Sequence, residues 1–152
     1  MQTASISKTC LLLPVLAVLV LFPAAALQAS DAASPKRCTI QKGSCSITTA
    51  SGMIVGFDIQ PKPVKALSQL QYIVTLNDKG KAVTDASVGL DLTMAGMYMG
   101  KNAPAMKHVS KGRYEGSGVI TRCMSGRKTW QADVTVVRDG ARETASFLFE
   151  VQ

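Results

Sequence analysis

Apolar side chains recur at every second position in several stretches of the chain. Met53, Val55, Phe57 and Ile59 alternate with Ile54, Gly56 and Asp58, the period of two that turns one face of a strand inward. Tyr72, Val74 and Leu76 repeat the pattern, and Val88, Leu90, Leu92 and Met94 form a further row. Trp130, Ala132, Val134 and Val136 face one way while Gln131, Asp133 and Thr135 face the other. Ala145, Phe147, Phe149 and Val151 make a last strand.

Turn signals separate these rows. Pro61 and Pro63 stop pairing after the first strand, since proline donates no ladder hydrogen bond. Asn77-Asp-Lys-Gly80, Ser125-Gly-Arg-Lys128 and Asp139-Gly140 are turns by composition. Gly112-Arg-Tyr-Glu-Gly-Ser-Gly118 leads into Val119 and Ile120 as a glycine-rich strand. Beyond a single turn around Val64 to Leu70, no helix is expected. About seven short strands at this spacing predict an all-β fold, an immunoglobulin-like two-sheet antiparallel β-sandwich.

The alternation fails at Ala95. Gly96 and Gly100 bracket Met97-Tyr-Met99, and Pro104 follows, so a partly exposed loop leaves the end of a strand. Three thioethers, Met94, Met97 and Met99, crowd this segment. About twenty residues on, Arg122-Cys-Met-Ser-Gly-Arg-Lys-Thr-Trp130 adds a thiol and the lone tryptophan.

The first residues have a different character. Residues 1–29 carry one cation, Lys8, then an apolar run from Cys10 to Leu27 and a cleavage-like Leu27-Gln-Ala29, the pattern of an export signal; an uncleaved anchor is the alternative reading. Residues 30–37 are polar, contain Pro35 and read as a flexible leader. Residues 38–152 then form one domain of ordinary size.

The chain has 17 cations against 10 anions, a formal charge of +7, and only Lys8 belongs to the signal. Such a balance favours anionic surfaces or acidic partners. Nucleic acid is excluded, because export removes the opportunity and no binding motif is present. Export also places the domain where disulfides persist. Three cysteines remain after the signal, Cys38, Cys45 and Cys123, and an odd number leaves one unpaired within the chain. Cys38 and Cys45 flank a turn-like Gln-Lys-Gly-Ser and are the natural candidates for a staple, although the sequence itself does not choose among the pairings.

Met94-Ala-Gly-Met-Tyr-Met-Gly-Lys-Asn102, Gly112-Arg-Tyr-Glu-Gly116 and Arg122-Cys-Met-Ser-Gly-Arg-Lys-Thr-Trp-Gln-Ala-Asp-Val134 together resemble the YtkA-like domain, related to FixH-like proteins. The resemblance covers roughly Gly52 to Val151. It implies a small exported or membrane-tethered β-sandwich, associated with copper handling or with assembly of copper-containing respiratory enzymes. Relatives often have proline where Ala95 stands, and many carry histidine near the methionine loop, which has none here.

Thioethers are soft, neutral ligands suited to Cu(I). Met97 and Met99, two apart, present both sulfurs to one side if the loop is locally extended. Met94 and Cys123 are the further metal candidates, although Met94 also continues the inward row of Leu90 and Leu92. Met106 reads as an apolar plug, His108 as a surface residue and Trp130 as core. No serine-histidine-acid set is present, so the expectation is a periplasmic copper-binding accessory protein rather than an enzyme. The alternative is a metal-free interaction module whose methionine loop docks on an envelope or membrane protein partner.

Overall fold

The computed structural model describes residues 34–152; the stretch read as an export signal and the first part of that read as a leader lie outside the described residues. Ten strands form: β1 (Lys36–Arg37), β2 (Cys45–Thr48), β3 (Ile54–Gln60), β4 (Gln69–Asp78), β5 (Lys81–Ala82), β6 (Ser87–Met94), β7 (Lys107–Ser110), β8 (Arg113–Val119), β9 (Thr129–Arg138) and β10 (Ala141–Glu150). They build two sheets. One has the order β1-β10-β9-β6, and the other β2-β3-β4-β8-β7 with β5 also paired to β4. This is the expected β-sandwich.

The apolar rows are what bring the sheets together. Val55, Phe57 and Ile59 of β3 and Tyr72, Val74 and Leu76 of β4 are buried, as are Leu90, Leu92 and Met94 of β6 and the inward rows of β9 and β10. Phe57 from one sheet stacks on Phe147 of the other with ring centroids 5.4 Å apart, and lies 5.9 Å from Phe149. Each fully buried side chain of this size contributes roughly 1.5–3 kcal/mol, so the face-to-face contact is the main source of stability.

Three features differ from the sequence reading, and each has a local cause. Among the described residues there are ten strands rather than about seven, because β1, β5 and β7 are short and every residue in them is exposed. Without a buried face they leave no alternation to read. All pairings are antiparallel except one, β1 running parallel to β10 with Lys36 opposite Phe147, so ordered pairing already begins within the stretch read as a leader. Among the described residues the segment around Val64 to Leu70 forms a turn and not a helix, and Leu67 sits at φ 61°.

Cys38 and Cys45 are joined by a disulfide. Cys38 directly follows β1 in one sheet and Cys45 opens β2 in the other. The bond therefore ties the crossover between the sheets. It fits an oxidising, exported environment. Among the described residues no helix is long and apolar enough to cross a membrane.

Candidate functional site

The methionine segment lies at the end of the sandwich where β6 finishes and β9 begins, Met94 being directly opposite Trp130. Both side chains point into the core and both are buried. The Met97 N–H donates to the Met94 carbonyl at 2.9 Å, and the two residues form an isolated antiparallel bridge. Ala95 and Gly96 are thus the corner of a two-residue turn. Gly96 has φ 76°, the positive value that a type II turn requires at its third position.

Residues directly opposite in an antiparallel bridge share a face, so Met97 comes back on the side of Met94. The next residues alternate in exposure. Met97 is 36% exposed and Tyr98 83% exposed, while Met99 is half-buried and packs against the core. The loop then returns along the outer edge of β6, where the Leu92 N–H donates to the Asn102 carbonyl at 2.8 Å. The Asn102 side-chain amide donates to the Val119 carbonyl at 3.2 Å, which links this loop to β8 of the other sheet. Met94, Met97 and Met99 are therefore gathered on one turn, with Met94 as its buried base.

Cys123 is the free thiol among the described residues and is buried. It lines a cavity of about 340 Å³ together with Ala66, Arg122, Arg127, Trp130 and Val151. Trp130 is both the register partner of Met94 and a wall of this cavity. Neither Met97 nor Met99 is among its lining residues. The Ser125 hydroxyl, 3.0 Å from the sulfur, holds the Cys123 thiol below its ordinary pKa, helped by the backbone N–H groups of Ser125 and Arg127 and by the Arg127 charge, against the opposing effect of burial. A thiol so placed reaches the thiolate form more readily than a free cysteine.

The remaining sequence candidates lie elsewhere. Met106 is half-buried against the core, its sulfur 2.6 Å from where a Cβ on Gly116 would stand; the glycine makes room for it. His108 sits on β7 opposite Tyr114, with ring centroids 5.0 Å apart, and this register carries it along β8 away from Val119. The sequence reading missed the cavity, because its walls come from the turn before β9, the Ala66 segment and the C-terminal residues, which are far apart in the chain and meet only through the fold.

The end of the sandwich holding this site is knitted from four segments. The Leu67 N–H donates to the Ile120 carbonyl, the Ala66 N–H to Gln152, the Gln152 N–H to Val64, and the Val151 N–H to Lys128. Cations are frequent there and carboxylates few. Lys65, Lys101, Arg122, Arg127 and Lys128 take part in none of the ion pairs among the described residues. At the opposite end, Arg138 is paired with Asp78 at 3.3 Å and with Asp85 at 3.0 Å.

Two sheets packed face to face make this chain an all-β sandwich protein. No family model and no curated protein matches it. Among solved structures it is similar to a DUF4785 family protein from Legionella pneumophila, at 11% sequence identity and a TM-score of 0.49, over 66% of this chain and 28% of that one. The chain thus spans less than a third of that protein's length.

Proposed function

We propose that this is an exported, periplasmic copper-handling protein that binds Cu(I) through Met97 and Met99 at the surface of the methionine turn, whose base is the buried Met94. The observation that carries the reading is the turn itself, which returns Met97 to the side of Met94 and leaves its thioether partly open to solvent. The donor set fits the ion. Thioether sulfur is soft and neutral, so it favours Cu(I) over zinc, magnesium or Cu(II), and it carries no proton to lose in acid. Few donors on an open loop also suit release by ligand exchange, which a carrier needs more than it needs retention. The resemblance to the YtkA-like domain supports the same reading and extends it to assembly of copper-containing respiratory enzymes.

The test is a competition titration with a colorimetric Cu(I) chelator under reducing conditions. The Met97→Leu/Met99→Leu double variant, which keeps size and apolarity, is expected to lose at least tenfold in affinity, and X-ray absorption of the loaded protein to show sulfur ligation. Unchanged affinity in the double variant sinks the proposal.

A further inference from the structure

The described residues include seven large apolar side chains that are exposed, and five of them, Leu67, Met97, Tyr98, Val119 and Met124, belong to the end of the sandwich that carries the methionine turn. Three are tips of separate loops. Leu67 is 63% exposed on the turn before β4, Tyr98 is 83% exposed on the methionine loop, and Met124 is fully exposed at the corner of the turn closed by the Gly126 N–H on the Cys123 carbonyl. Standing among them are Lys65, Lys101, Arg122, Arg127 and Lys128. The nearest carboxylates are Glu150, at the end of β10, and, further along the sheet at one register, Asp58 and Glu115, which are already paired with Lys62 and Arg113.

We infer that this end of the domain docks on a bilayer surface bearing anionic phospholipids, with Leu67, Tyr98 and Met124 entering the interfacial region and the five cations lying at the headgroup phosphates. Charge complementarity points to an anionic surface. The arrangement of the apolar groups points to lipid over protein. A protein interface is built around a contiguous, flat apolar core from which lysine is depleted. Here single apolar tips stand apart with long cationic side chains between them. Those side chains reach past their apolar stems to place charge at the headgroups, and tyrosine is enriched at this depth. Docking is independent of copper, and it orients the methionine turn toward the membrane plane.

The experiment is hydroxyl-radical footprinting of the full chain, kept copper-free with a chelator, in the presence of vesicles. Vesicles of phosphatidylcholine alone are compared with vesicles that also contain phosphatidylglycerol. Leu67, Tyr98 and Met124 are expected to lose reactivity only with the anionic vesicles, while Ile54 and Val109, exposed elsewhere, keep theirs. Because the readout compares positions within one chain, an N-terminal segment inserted in the vesicle does not imitate the result. In vesicle binding, the Arg122→Gln/Arg127→Gln variant is expected to be weaker by roughly thirtyfold, at about a factor of five for each surface charge. Both side chains are solvent-facing, and a thermal melt confirms that the variant folds. Protection that is equal with the two vesicle types, protection extending equally to Ile54 and Val109, or unchanged binding by the charge variant overturns the inference. Protection by soluble polyglutamate without protection by anionic vesicles also overturns it, and assigns the surface to an acidic protein.

Discussion

Truncating Met94 and Met97 separately to alanine separates the part of the methionine cluster that is core from the part that is available to a ligand. Met94 is 2% exposed and lies directly opposite the buried Trp130. Its removal deletes buried thioether and methylene groups and leaves a cavity against the indole, for which the expected loss is about 3 kcal/mol, a shift of roughly a hundredfold in the folding equilibrium. Met97 is 36% exposed, and the bond that fixes its turn is between main-chain atoms. Its truncation keeps that bond and is expected to cost under about 1 kcal/mol. Urea unfolding followed by the fluorescence of Trp130, the one tryptophan in the chain, measures both. The Met94 variant should also show red-shifted native emission as water approaches the indole, and both variants should keep the parental denaturant slope. Equal destabilisation by the two substitutions refutes the reasoning, because Met97 is then as much a part of the core as Met94 and has no sulfur to spare for a metal.

Other expectations test the frame around the site. Gly112 has φ 72°, and a Cβ there would stand 2.5 Å from the Leu76 carbonyl oxygen, whereas Gly126 at φ 74° has open space around it; Gly112→Ala should therefore cost at least about 3 kcal/mol in a urea titration and Gly126→Ala about 1 kcal/mol. The Tyr72 hydroxyl is buried without a hydrogen-bond partner among the described residues, so Tyr72→Phe should stabilise the protein by about 1 kcal/mol at neutral pH. Burial raises the Tyr72 pKa to about 12 from 10.0. The unfolded phenol ionises first, so that part of the stability is complete below pH 10 and falls away as pH rises toward 12, and melts across this window should fall less steeply for the phenylalanine variant. Ala95→Pro, at the second position of the methionine turn, should raise the thermal midpoint through a gain of about 0.5–1 kcal/mol.

Where a strand has one buried face, the chain announces it. Met53 through Ile59, Leu90 through Met94 and Trp130 through Val136 sit where their alternation puts them, and the inward row of Leu90 and Leu92 does run on into Met94. The short strands β1 and β7 have no such face, and they are paired through main-chain groups that no side-chain pattern records. The same limit applies to the site. Two glycines and three methionines mark the turn, but that Met94 stands opposite Trp130, and that Trp130 also walls the Cys123 cavity, follows from pairing between strands far apart in sequence. Lys101, Arg122, Arg127 and Lys128 already stand near the two sulfur-bearing segments in the sequence, whereas Lys65 joins them only through the fold, by the bonds of the Ala66 and Leu67 N–H groups to Gln152 and Ile120.

The disulfide has a consequence for the life history of the chain. β1 covers the outer edge of β10 with only two register pairs, and the Cys38–Cys45 bond holds that short cover in place. In a reducing compartment the tie is absent and β1 frays, leaving the N–H and C=O groups of β10 open as a template for edge-to-edge pairing. Oxidation of the pair closes that edge. The two cysteines thus act as a latch against self-association, and the reduced chain should be the more prone to aggregate even where its core is fully formed.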